Sequence, residues 1–194
     1  MSRLFLVRHA HADWEPDEQR PLSAQGRRDA IRVAELLTPP RPAAIYTSPA
    51  RRALETIAPL ARGLGLRPIE LPDLRERELP VQPPGDFAEA VGGSWREFGI
   101  PVTGGESNEA AQARGLRAIR FVLGRHVGEV AVVATHGNLL ALVVNAFDAQ
   151  YGHEFWRGLS FPDIYELRFQ ENRLASLQRV WSVGDRGCPT TRSS

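Results

Sequence analysis

Residues 130–137 decide the fold, and their sequence is VAVVATHG. Val130–Thr135 is the most apolar run in the chain and therefore predicts a buried central strand. A second short apolar run, Arg3–Val7, predicts another buried strand near the N-terminus. Each run ends at a histidine, because Arg8-His9 follows the first run and His136-Gly137 closes the second. Ligands of parallel sheets bind beyond the carboxyl ends of the strands, so this coincidence predicts a site there.

Segments with helical periodicity alternate with these strands. The predicted helices run from a cap at Ser23 to about Leu37, from Ser48-Pro49 to about Arg62, over Glu106–Arg125 and over Asn138–Phe147. Further short strands are predicted over Ala43–Thr47, Arg67–Leu71, Asp163–Phe169 and Leu174–Trp181. This alternation predicts an α/β protein, a three-layer α/β/α sandwich with a mostly parallel central sheet.

Residues 72–105 differ from the rest of the chain, because they are rich in proline and glycine. We expect a small, largely irregular lid insertion there, with a short helix around Asp86–Phe98. Trp95 and Phe98 either line this lid or anchor it. The predicted organisation is one domain over residues 1–183, with a flexible C-terminal tail over residues 184–194.

Composition excludes several classes of chemistry. All 24 basic residues among the 194 are arginine, so no mechanism that needs a lysine is available. Cys188 is the only cysteine, which rules out an intrachain disulfide and a cysteine-based zinc cluster. The net charge of +1 gives no reason to expect a nucleic-acid or membrane partner. Without a charged leader or a long apolar stretch, we expect a cytoplasmic protein, and a homodimer is left open.

The residues at the ends of the two strongest strands suit phosphate chemistry. His9 and His136 could face each other, one as a nucleophile and the other stabilising charge. Arg8 and Arg52 would add two permanent positive charges, and Arg52 lies in the first turn of its predicted helix. Two guanidiniums, two imidazoles and a helix N-terminus predict a pocket for a phosphate dianion.

Six segments, in chain order from residue 4 to about 145, resemble the signatures of the histidine phosphatase superfamily, in its phosphoglycerate-mutase-like branch. They are Leu6–Ala10, with Ala10 for the usual glycine, Pro21–Gly26, Ser48–Thr56, Leu74–Glu76, Gly104–Ser107 and Val132–Gly137. The resemblance implies that His9 forms a covalent phosphohistidine, with His9, Glu76 and His136 catalytic. It also implies that Arg8, Arg52, His9 and His136 bind the phosphoryl group, with no metal and no cofactor.

The acid that protonates the leaving group is implied at Glu76, since His136 is followed by Gly137 and not by the aspartate of the acid-phosphatase branch. Glu76 lies in the charged stretch Arg75–Glu78, for which the alternative interpretation is a solvated surface segment, and Glu78 is the competing carboxylate. The expected activity is hydrolysis of a small-molecule phosphate monoester by a phosphatase.

Other functions are weighed against this prediction. Mutases of the branch commonly carry an asparagine where Glu15 stands, which disfavours mutase activity. A non-catalytic module that binds phosphorylated ligands would not need the nucleophile. His9, His11 and Asp13 resemble part of the metal motif of metallo-β-lactamase-like hydrolases, but Trp14 replaces its closing histidine and Arg8 would repel a cation. Glu106-Ser107 lacks the glycine pattern of a serine-hydrolase elbow.

Overall fold

The computed structural model of the chain describes residues 1–15, 19–79, 84–101, 105–171 and 173–182. The predicted tail over residues 184–194 lies outside the described residues, as do residues 80–83 and 102–104 of the predicted lid. The elements, in chain order, are β1 (Ser2–Arg8), α1 (Ala24–Leu37), β2 (Ala44–Thr47), α2 (Arg51–Leu64), β3 (Ile69–Glu70), a 3₁₀ turn (Pro72–Leu74), α3 (Pro84–Arg96), α4 (Asn108–Arg125), β4 (Val130–Thr135), α5 (Gly137–Phe147), α6 (His153–Arg157), β5 (Asp163–Gln170) and β6 (Arg173–Arg179).

The described strands form one six-stranded sheet in the order β3-β2-β4-β1-β5-β6. The four strands β3, β2, β4 and β1 are parallel to one another. β5 runs antiparallel to β1, and β6 runs antiparallel to β5. The prediction of an α/β fold with a mostly parallel sheet and a closing hairpin is therefore confirmed.

Helices cover both faces of this sheet. Along β1, Leu4 and Leu6 belong to a buried cluster that includes residues of α4 and α5. The alternate residues Phe5 and Val7 belong to a second cluster, built with residues of α1 and α2. Because successive side chains of a strand point to opposite faces, these two clusters are the two core layers of an α/β/α sandwich.

The register of the central strands brings the predicted site residues to one edge. β1 and β4 pair in parallel, with Arg8 opposite Thr135. His9 and His136 directly follow these two residues, so they lie side by side at the edge of the sheet. On the other side of β1, Asp163 at the start of β5 lies opposite Arg8.

Some boundaries differ from the predictions. Ser48 does not cap α2, which begins at Arg51 after the N-cap residue Ala50. The Ser48 hydroxyl instead accepts the Ala50 N–H (3.2 Å) and lies 2.8 Å from His136 Nε2. Helix α6 was not predicted, because its five residues are too few to show helical periodicity. Trp95 and Phe98 pack edge to face, 5.8 Å between ring centroids, against the buried core, so they anchor this part of the predicted lid to the core.

No helix among the described residues is both long enough and apolar enough to span a bilayer.

Candidate active site

His9 follows β1 and is almost fully buried, with 6% of its surface exposed. Its Nδ1 lies 2.8 Å from the Ala10 carbonyl oxygen. A carbonyl oxygen only accepts, so Nδ1 carries the proton and the lone pair of the neutral ring is on Nε2. Burial, opposed by the Ala10 hydrogen bond and reinforced by nearby arginine charges, lowers the pKa of His9 to about 3. His9 is therefore neutral and nucleophilic at Nε2 near pH 7.

Arg52, in the first turn of α2, joins the two histidines. Its Nε donates to His9 Nε2 (3.3 Å) and its Nη2 to His136 Nδ1 (3.1 Å). Because a guanidinium only donates, His136 Nδ1 is unprotonated and the Nε2–H of the neutral ring donates to Ser48 Oγ (2.8 Å). Burial, followed by interactions with His9 and Arg52, lowers the pKa of His136 well below its usual value. The two imidazole centroids are 5.2 Å apart.

Arg8 brings a second guanidinium to the same edge. Its Nη1 donates to the Leu159 carbonyl (2.9 Å), and its Cζ lies 3.4 Å from the centroid of the Phe161 ring. On the other side, a Cβ added to Gly137 would lie 2.9 Å from Arg8 Cζ, so only glycine leaves room for this guanidinium. Burial lowers the pKa of Arg8 to about 10, so the guanidinium stays charged near pH 7.

The Glu76 carboxylate lies against the N-terminus of α5, the helix that begins directly after His136. Its Oε1 accepts the backbone N–H groups of Arg77 (2.9 Å) and Leu139 (3.1 Å), and its Oε2 accepts that of Asn138 (3.2 Å). A helix N-terminus favours a carboxylate in this position. The Glu78 carboxylate is 64% exposed and pairs with Arg75 at 3.4 Å. The structure therefore places Glu76 at the site and Glu78 on the surface.

The backbone that carries Glu76 is held from behind by Arg114. Its guanidinium donates to the carbonyl oxygens of Asp73 (2.8 Å), Arg75 (2.8 Å) and Glu76 (3.0 Å). It also pairs with both oxygens of Glu106 at 2.7 Å. Burial raises the pKa of Glu106, but the bonds and charge of Arg114 outweigh burial and keep it below the usual value. Sequence reasoning missed Arg114, because arginine is abundant here and its partners are distant in sequence.

Arg20 is a further cation that sequence reasoning missed. Its charge is one of the smaller causes that lower the pKa of both His9 and His136, so its field reaches the two rings. Its Nη1 donates to the Glu15 carbonyl (3.0 Å), and its buried Nε has no hydrogen-bond partner among the described residues. Glu15 itself has an exposed side chain, so at this point of the loop the cation Arg20, and not Glu15, approaches the site.

His11 and Asp13 do not assemble a metal site with His9. His11 Nδ1 contacts Ser23 Oγ (2.9 Å) and lies 4.0 Å from an exposed carboxylate oxygen of Asp13. Within the described residues, no three His, Cys, Asp or Glu side chains are grouped closely enough to hold a metal ion. The loop is fixed instead by close backbone packing, because a Cβ on Gly26 would lie 2.0 Å from the His11 carbonyl oxygen.

The chain matches known proteins over most of its length. It is 28% identical over 161 residues to the metal-independent phosphoserine phosphatase of Arabidopsis thaliana, covering 74% of this chain and 67% of that protein. It is 29% identical over 159 residues to phosphoglycerate mutase-like protein 4 of the same plant, covering 72% and 68%. The fold resembles the mycobacterial glucosyl-3-phosphoglycerate phosphatase complexed with VO₃, with a TM-score of 0.74, 24% identity and coverage of 92% and 98%. Residues 4–181 match the family described as the histidine phosphatase superfamily, branch 1, and the chain therefore belongs to that family.

Proposed function

We propose that this chain is a phosphatase that hydrolyses a small phosphate monoester through a covalent phosphohistidine on His9. The observation that carries the proposal is the state of His9: a buried, neutral ring with its Nε2 lone pair facing the Arg52 guanidinium. A neutral imidazole beside permanent cations combines a nucleophile with a binding site for the dianion that it attacks.

In the first step, His9 Nε2 attacks phosphorus and the bond from phosphorus to the leaving oxygen breaks. The phosphoryl oxygens take over the N–H groups that Arg52 now donates to the two imidazoles, which frees the Nε2 lone pair for attack. Arg8 adds a second guanidinium. A bound dianion favours protonation of His136 at Nδ1, and that N–H then donates to a phosphoryl oxygen while Nε2–H stays on Ser48.

Glu76 enters this step as the carboxylic acid and supplies the proton that the leaving oxygen needs. Its Oε1 accepts two backbone N–H groups, whereas Oε2 accepts one at 3.2 Å, so Oε2 is the better oxygen to carry the proton. In the second step, the same oxygen takes a proton from the water that attacks phosphorus. The bond from His9 Nε2 to phosphorus then breaks, and inorganic phosphate leaves.

Hydrolysis is favoured over transfer back to substrate by the residues around the loop that follows His9. Mutases of the branch commonly carry an asparagine at the position of Glu15, and here Arg20 contributes a positive charge that reaches both histidines. One relative is described as phosphoglycerate mutase-like, so the mutase reaction is kept as the second candidate. A purely binding module is disfavoured, because it would not need a buried imidazole with an unprotonated Nε2. A cytoplasmic location stays a prediction from the sequence.

The test is a comparison of products. Purified protein is incubated with a panel of phosphate monoesters, and released phosphate is measured for the wild type and for His9→Ala. A separate reaction with 3-phosphoglycerate is analysed for 2-phosphoglycerate. We expect phosphate release that disappears in His9→Ala. Interconversion of the two phosphoglycerates faster than release of phosphate would establish the mutase. Binding of phosphate without either reaction would establish the binding module.

A further inference from the structure

An ion pair between a buried carboxylate and a partly exposed arginine lies behind Arg8 and is not used in the proposed chemistry. Asp163 is fully buried at the start of β5, and Arg179, the last residue of β6, binds it with two parallel bonds. Arg179 Nε donates to Oδ1 (2.9 Å) and Nη2 to Oδ2 (2.6 Å). The two carboxylate oxygens also accept the backbone N–H groups of Ser160 (2.9 Å) and Ile164 (3.0 Å). These four bonds leave the carboxylate fully engaged.

Asp163 is nevertheless the acidic residue placed directly opposite Arg8 in the antiparallel pair of β1 and β5. Its charge raises the pKa of Arg8 against the larger effect of burial, so the two groups interact. No hydrogen bond or ion pair joins them, although both residues are described. The Arg8 Nη1 donates instead to the carbonyl oxygens of Leu159 (2.9 Å) and Ser160 (3.4 Å). Arg179 therefore holds a carboxylate that Arg8 could otherwise bind.

The same arginine fixes the turn that holds Arg8. Arg179 Nη2 reaches Ser160 Oγ (3.1 Å) and the Gly158 carbonyl (3.4 Å). The Ser160 hydroxyl donates to the Pro162 carbonyl (2.6 Å). Residues 158–162 thus form a turn braced by Arg179 and Asp163, and its carbonyl groups and the Phe161 ring set the position of the Arg8 guanidinium. The buried Arg8 Nε has no hydrogen-bond partner among the described residues.

We propose that Arg179 is a positioning residue for phosphate binding, which occupies Asp163 and braces the 158–162 turn so that Arg8 points its donors at the phosphoryl group. The proposal rests on the proposed function only in placing phosphate against Arg8. Without Arg179, Asp163 pairs directly with Arg8 and draws the guanidinium away from the phosphate. Arg179 itself does not contact the substrate.

The experiment measures phosphate binding, so that it does not depend on turnover. Inorganic phosphate is titrated calorimetrically into the wild type, Arg179→Met, Arg179→Lys and the control Arg168→Met, and thermal unfolding is recorded for each. Arg168 is a matched control, because it is 45% exposed against 40% for Arg179 and binds a buried carboxylate, Glu166, at 3.1 Å. We expect Arg179→Met to lower the affinity for phosphate about tenfold, the scale of one charge-assisted hydrogen bond. Arg168→Met should match the wild type, and Arg179→Lys, which gives one donor centre in place of a fork, should lie between.

Double variants separate positioning from general damage to the fold. In an Arg8→Met background, Arg179→Met should not lower the phosphate affinity further, because Arg8, the residue through which Arg179 acts, is absent. Adding Asp163→Asn to Arg179→Met should recover part of the lost affinity, since a neutral amide attracts Arg8 less than a carboxylate does. The proposal would be overturned if Arg179→Met lowered phosphate affinity equally in the Arg8→Met background, or if Arg168→Met caused an equal loss of affinity. It would also be overturned if Arg179→Met lowered the melting temperature and left phosphate affinity unchanged. Phosphate affinity that follows these expectations in a protein without phosphatase activity would leave this inference standing and refute only the proposed hydrolysis.

Discussion

Acidification should destabilise the protein through the buried imidazole of His9. Burial lowers the pKa of His9 from 6.5 to about 3 in the folded chain. Below pH 6.5 the unfolded chain therefore binds a proton that the folded chain does not, so the free energy of unfolding falls as the pH falls. At pH 5, 1.5 units below the unfolded pKa, the loss is about 2 kcal/mol, at 1.36 kcal/mol per unit. Because the folded pKa lies well below 5, this figure depends on the unfolded value alone.

The assay is urea unfolding in phosphate-free buffers from pH 8 to pH 5, with wild type and His9→Gln measured in parallel. Glutamine does not titrate, so the difference between the two proteins isolates His9 from the carboxylates that also respond to pH. The stability of His9→Gln relative to wild type should increase by about 2 kcal/mol between pH 8 and pH 5. A difference that stays constant over this range would show that His9 titrates normally in the folded protein, and the argument for a neutral buried nucleophile would fail.

Three further perturbations test other parts of the site. Glu76→Gln should slow hydrolysis of alkyl phosphates by about 10²–10⁴-fold and that of p-nitrophenyl phosphate much less, because nitrophenolate leaves without a proton; rate ratios for the two substrates should not change in Glu78→Gln, and the selective effect appearing there would reassign the acid. Gly137→Ala should fold and yet bind phosphate about tenfold or more weakly, because its Cβ would displace the Arg8 guanidinium, 2.9 Å away. In Gly26→Ala the clash is with a backbone oxygen at 2.0 Å, so a lowered melting temperature is expected there, and the reverse pattern would contradict the packing argument. Activity should survive exhaustive chelation, since guanidiniums and a protonated imidazole can neutralise the transferring group; loss of activity that zinc or manganese restores would favour a metallohydrolase.

The central strands and their histidines could be predicted because the signal is local. Val130–Ala134 is an unbroken apolar run, which marks a strand covered on both faces, and parallel strands end at one edge. The prediction that His9 and His136 meet there needed only the strand directions. The observed register, with Arg8 opposite Thr135, places them side by side.

The supporting residues could not be predicted, because their roles depend on partners chosen by the fold. Arg114 binds carbonyl groups about 40 positions earlier in the chain, and Arg179 binds a carboxylate on the neighbouring strand. In a chain where every basic residue is arginine, nothing in the sequence separates these from surface arginines. The sequence pattern at Ser48-Pro49 predicts a helix cap, and it contains no sign that the Ser48 hydroxyl contacts His136, which lies 88 positions later.

The most direct test of the central claim is a search for the phosphoenzyme. Wild type and His9→Ala are mixed with a phosphate monoester labelled in its phosphoryl group, quenched rapidly during turnover, and analysed for protein-bound label at acid and alkaline pH. The account predicts a stoichiometric adduct on His9 that is labile in acid and stable in base, and that is absent from His9→Ala. An adduct that is labile in base, or label that persists in His9→Ala, would contradict it.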